Sequence, residues 1–281
     1  MEVHTIPKLG QGSDKPLILF FILSFALFWV LVCSVVTLQK YELITASLPL
    51  EPFFILGAWT PNVAAFLVLG LVIKKKDGIK NLILGWAKWR VKSFWYLVAF
   101  SPVFISLMAI GLYWLIYGVA PVTAVFSNPA QLVMLLPLLL LTGATGEQLG
   151  WRGFALPWLQ TRMSALASSI VLGFIWSFWH IPLWFTGTGL ETFPFWAYTV
   201  IAVSFSVLVT WACNNTRGSM IIASLSHLFL NVALSLIRHE AVPFIALIFA
   251  IYALIIVVYY GPGKLSREDV VPINLQSKAW L

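Results

Sequence analysis

The sequence predicts an all-α polytopic membrane protein, a bundle of about eight transmembrane helices, and three observations carry that prediction. Hydrophobic residues fill 60% of the 281 positions and charged residues only 10%, against roughly 45–50% and about 25% in a soluble domain. Mean hydropathy is +0.94, which leaves too few polar side chains to clothe a water-facing surface. The apolar residues run on without the alternation of barrel strands, so each run must satisfy its own backbone as a helix.

Crossing about 30 Å of hydrocarbon takes about 20 residues. Eight windows qualify: 17–38, 52–73, 94–117, 131–146, 163–185, 192–212, 218–237 and 241–260. None contains Asp, Glu, Lys or Arg. The first exceeds a signal-peptide core and has no small-residue cleavage site behind it, so it reads as a retained span. The fourth is short when cut at 146 and is expected to run on through Glu147. Polar ends at 1–16 and 261–281 read as short tails around one membrane domain, 17–260, with its motifs inside 143–235. Residues 74–93 mix Lys and Arg with Trp86 and Trp89, a composition suited to the headgroup level. Cys33 and Cys213 read as small apolar packing residues.

With eight spans both ends share a side. Fifteen of the 17 Lys and Arg residues fall on it, leaving Lys40 and Arg238 opposite. The positive-inside rule therefore places both termini in the cytoplasm, with the cell membrane as the expected location. The net charge of +7 is spread over short loops, which argues against a nucleic-acid partner. Membrane lipids are the expected surroundings.

Ionisable side chains within a bilayer are costly, about 2.5–3.5 kcal/mol each at the centre, so the few present need a reason. Glu147, Gln148 and Arg152 lie in Gly-Glu-Gln-Leu-Gly-Trp-Arg-Gly (146–153), at the end of the fourth window. His180 lies late in the fifth, in the Trp-rich string 176–184. His227 and Asn231 lie in the seventh, four apart and so on one helix face. Singly, each reads as a packing residue or a helix–helix hydrogen bond. Jointly they can form a hydrolytic site. A Glu close to a His can bind water and take its proton, while a second His and an Asn can donate to the oxyanion formed when water attacks an amide. Gly143, Gly146 and Gly150 cluster beside them and are expected to serve close helix packing, with room for a substrate backbone as the alternative.

Other intramembrane hydrolase plans fail by absence. Asp occurs only at 14, 77 and 269, all outside the windows, so no paired-aspartate site exists. There is no His-Glu-x-x-His pair, no Gly-x-Ser-x-Gly and no Lys within a window. Ser226 adjoins His227, but helix neighbours point about 100° apart. Water activated by Glu, with or without a metal, survives.

Glu147-Gln148-x-x-x-Arg152, then Trp176-x-x-x-His180, then His227-x-x-x-Asn231 resembles the CPBP family, the type II CAAX prenyl endopeptidases and bacteriocin-processing or immunity proteins also called Abi. The resemblance covers roughly 94–260. It implies an intramembrane endopeptidase acting on a peptide or protein segment, lipidated or not. By position, Glu147 is then the base and His180 its partner in holding water. His227 and Asn231 stabilise the oxyanion, and Arg152 orients the helix end. Both metalloprotease and metal-free glutamate-protease descriptions attach to the family. If a metal such as Zn²⁺ is held, Glu147, His180 and His227 are its expected ligands.

The chain departs from the family pattern at Gln148, where a second Glu is usual. A Gln can hydrogen-bond Arg152 but brings no charge, leaving Arg152 to Glu147, water or a lipid phosphate. The departure keeps open a catalytically silent protein that binds peptide, for immunity or scaffolding. A transporter is the weaker alternative, since no internal repeat supports two related halves.

Overall fold

The structure is a computed structural model describing residues 13–44, 51–74, 76–187 and 189–267. The tail expectations for 1–12 and 268–281 lie outside the described residues. Within them the chain is helical, and its one extended pairing is a bridge between Val122 and Ile237.

Helix α1 (Lys15–Lys40) starts with Pro16 in its first turn and ends on Lys40, the residue types each helix end favours. α2 (Glu51–Ala58) and α3 (Thr60–Leu67) form one span that ends in a π turn at Val72. α4 (Lys76–Ile83) is short and amphipathic. α5 (Phe94–Tyr117) stops at Gly118, whose φ of +74° suits glycine. A single turn, α6 (Ala124–Ser127), leads to α7 (Pro129–Leu139), capped by the Asn128 side chain. After an irregular stretch the chain resumes as α8 (Leu156–Gln160). α9 (Ala165–Trp179) is capped by Ser164 and continues as a 3₁₀ turn over Ile181–Phe185. α10 (Phe195–Asn215), α11 (Met220–Ser235) and α12 (Val242–Tyr260) complete the bundle.

Seven helical segments are long and apolar enough to cross a membrane, and α11 supplies a shorter eighth of 16 residues. The chain is an integral multi-pass membrane protein of the all-α class. α10 packs between α9 and α12, and α11 lies along α5. Leu247, Ile251, Leu254, Ile255 and Val258 of α12 point outward, each about half exposed or more; lipid is the solvent such an apolar face requires.

Three spans and one side chain depart from the sequence reading; the sixth span is Phe195–Asn215 rather than 192–212. The fourth span runs on through Glu147 as expected but continues to Gln160, and it is not one continuous helix. The seventh is Met220–Ser235 rather than 218–237. Cys33 is exposed on α1 instead of packed, whereas Cys213 is buried.

The break in the fourth span positions the site. Thr142 leaves helical geometry at φ −86°, ψ −114°, and π turns occupy Leu140–Ala144 and Leu149–Ala155. Backbone groups freed within a membrane must find partners, and the second span supplies them. Asn62 is fully buried; its Nδ2 donates to Thr145 O at 2.9 Å and its Oδ1 accepts from Gly150 N at 2.9 Å. Trp59 Nε1 donates to Leu141 O at 2.8 Å. The close approach depends on missing side chains. A Cβ on Gly146 would stand 2.9 Å from Ala58 O, and one on Gly150 would stand 2.5 Å from Pro61 O. Packing explains these two glycines, as expected; Gly143 does something else.

Candidate functional site

Glu147 and Gln148 sit between the two π turns, 3% and 1% exposed. Around Glu147 the arrangement is built on tryptophan. Trp151, one turn on, donates its indole N–H to Glu147 Oε2 at 3.2 Å, and Trp176 of α9 donates to the same oxygen at 2.6 Å. Oε1 remains facing His180 Nε2 at 4.0 Å.

His180 caps the C-terminus of α9, where the chain passes into the 3₁₀ turn. Its Nδ1 lies 2.8 Å from Trp176 O. A carbonyl only accepts, so Nδ1 carries the hydrogen and the neutral ring offers the Nε2 lone pair to Glu147. Trp176 thus holds both groups, Glu147 through its ring and His180 through its backbone.

His227 reaches the same indole from α11. The Trp176 ring meets His180 edge-on with centroids 4.9 Å apart, and His227 edge-on at 5.2 Å. His227 Nδ1 is 2.7 Å from Gln148 Nε2, which also donates to Gly143 O at 3.3 Å. The opposite edge of the imidazole abuts Gly143. A Cβ there would fall 2.5 Å from His227 Nε2 and 3.0 Å from Asn231 Nδ2, so two nitrogens converge on a space that only glycine leaves free. A cavity of about 250 Å³ opens beside them, with Glu147, Gly143 and Asn231 on its wall among apolar residues that include Phe28, Phe54 and Leu139.

Arg152 behaves differently from the expectation. It is 2% exposed, so a lipid phosphate does not reach it, and it does not belong with the loop charges counted for orientation. Its guanidinium lies 5.8 Å from the Trp176 ring centroid. Among the described residues, its Nε and Nη1 have no hydrogen-bond partner and no carboxylate lies within ion-pair distance. Nor does Gln148 turn to Arg152, because its carboxamide nitrogen is taken by His227 and Gly143 and its Oε1 is unpartnered.

Four residues of the arrangement have roles that the sequence did not assign them, although Trp176 stands in the Trp176-x-x-x-His180 motif and Gly143 in the glycine cluster. Trp176 and Trp151 are each four residues from a candidate residue, His180 and Glu147 respectively, and that shared helix face was the available signal. Asn62 had the signal of a lone carboxamide within an apolar run. Gly143 had none that set it apart from its neighbours.

The fold and this constellation define a class: a multi-pass membrane protein with a buried carboxylate, two imidazoles and a carboxamide gathered around one tryptophan beside a cavity. Residues 129–233, which include all these groups except Asn62, match the family model described as type II CAAX prenyl endopeptidase Rce1-like. A curated CAAX prenyl protease 2 from Methanococcus maripaludis is 37% identical over 114 residues, which make up 38% of this chain and 42% of that protein. The chain therefore spans less than half the length of the curated relative it matches. The resemblance carried by the three motifs holds over the segment that contains them.

Proposed function

We propose that the chain is an intramembrane endopeptidase that hydrolyses a peptide bond with water activated by Glu147 and His180. The observation that carries this reading is the 4.0 Å gap between Glu147 Oε1 and His180 Nε2. One water can hydrogen-bond both atoms at ordinary lengths. It would donate to both, leaving its lone pair for a substrate carbonyl carbon. On attack, the water's proton passes to Glu147 Oε1 as the C–O bond forms. The carbonyl oxygen, now an oxyanion, takes hydrogen bonds from His227 Nε2–H and Asn231 Nδ2. The C–N bond then breaks as Glu147 returns the proton to the departing amine. No acyl-enzyme forms.

A zinc ion does not fit this donor set. To bind a metal through Nε2, His227 would need its hydrogen on Nδ1, facing the Gln148 N–H group at 2.7 Å. Among the described residues no three His, Cys, Asp or Glu side chains are grouped as a metal requires. The mechanism above uses none.

The substrate we infer is a peptide or protein segment reaching the site from the membrane. The apolar wall of the cavity beside Glu147 favours one carrying a lipid. Both termini and the basic loops face the cytoplasm of a cell membrane in this reading. A catalytically silent peptide-binding chain instead predicts cleavage only in Gln148→Glu. The test is cleavage of a lipidated peptide by purified protein. Glu147→Ala, His180→Ala and His227→Ala should each abolish turnover at unchanged expression, and normal turnover by Glu147→Ala refutes the mechanism.

A further inference from the structure

We infer that Gln148 is a positioning residue that selects the tautomer of His227, holding it as a neutral ring with its hydrogen on Nε2. The use made of that hydrogen rests on the hydrolytic reading, but the tautomer does not.

The orientation of the Gln148 carboxamide follows from Gly143. The Gly143 carbonyl only accepts, and it faces the side-chain nitrogen at 3.3 Å; a reversed amide would set two oxygens against each other. Oε1 has no partner, so the two acceptors at Nε2 decide the orientation. The same nitrogen lies 2.7 Å from His227 Nδ1. A carboxamide nitrogen has hydrogens and no lone pair to offer, so Nδ1 must be the bare, accepting nitrogen. An imidazolium would place N–H against N–H across that distance and is disfavoured for the same reason. The remaining hydrogen sits on Nε2, at the edge abutting Gly143, with Asn231 Nδ2 alongside.

A carboxylate at position 148 would act in the opposite sense. It would accept from Nδ1–H, leaving Nε2 bare in a neutral ring or donating only from a charged one. Gln148 instead gives a donor at Nε2 without charge, in a residue 2% exposed among Trp176 and Phe205. Gln148 therefore holds His227 through a neutral hydrogen bond.

The experiment is ¹⁵N spectroscopy of the full chain labelled at its four histidines in lipid nanodiscs, with His227 assigned by its loss in His227→Gln. The expected wild-type signal near neutral pH is a neutral ring with bare Nδ1 and protonated Nε2. In Gln148→Glu the signal should move to the imidazolium or the Nδ1–H form. A wild-type His227 found as Nδ1–H or doubly protonated overturns the inference, as does an unchanged signal in a folded Gln148→Glu protein. If that variant does not fold, the wild-type spectrum decides alone. Absence of peptide cleavage by wild type with the expected tautomer would count against the hydrolytic reading and leave this inference standing.

Discussion

Trp176 Nε1 donates to Glu147 Oε2 at 2.6 Å, and this one hydrogen bond ties helix α9 to the broken fourth span at its most polar point. The same tryptophan offers its carbonyl to His180 and its ring to both imidazoles. Glu147 and His180 therefore both take their placement from Trp176.

Trp176→Phe keeps the aromatic packing and removes the donor. Turnover should fall about 10–100-fold, the rate equivalent of losing a hydrogen bond to a charged group worth about 1.5–3 kcal/mol, with KM nearly unchanged. A steady-state assay on a lipidated peptide separates the two constants. A variant that loses affinity but keeps turnover contradicts the assignment.

Gly143→Ala places a methyl group 2.5 Å from His227 Nε2 and Cε1, so the imidazole must move. A displacement of about 1 Å can cost on the order of 100-fold in rate, and turnover should drop at least that far. Purified yield and thermal midpoint should change little. Retained activity would show that the convergence of His227 and Asn231 on this spot is not used.

Asn62→Leu tests the scaffold rather than the chemistry. It leaves Thr145 O and Gly150 N without the Asn62 bonds, at about 1–3 kcal/mol for each buried group orphaned. The thermal midpoint in detergent should fall by several degrees, and activity should fall with it. An unaltered midpoint would mean that water or rearranged backbone replaces both bonds.

Treatment with a strong chelator, followed by metal analysis, should leave both activity and fold intact, because His227 offers its bare nitrogen to Gln148. Loss of cleavage that added zinc restores would sink the metal-free route.

The fold class was legible because eight apolar runs admit few other solutions, and α5 and α12 end within a residue of where the apolar runs do. The residues of the three motifs were also legible, since polar groups are scarce in such runs. What escaped was connectivity. Periodicity cannot show a helix that stops being helical at Thr142, because the residues on both sides remain apolar. Gln148 does not meet Arg152 for a related reason: spacing of four puts Arg152 on its face only if the helix is regular, and Leu149–Ala155 is a π turn. Arg152 lies past the fourth apolar window, which ends at 146, yet the chain stays buried to Leu156.

Gly146 and Gly150 meet the backbone of Ala58 and Pro61 with no side chain between them. The two segments are thus fitted without slack, and neither has a private sequence space. A library randomised over 146–153 alone should return glycine at both positions almost without exception. Viable replacements there should arise only alongside compensating shifts in 57–62, so diversifying either stretch would require co-mutating two segments more than eighty residues apart.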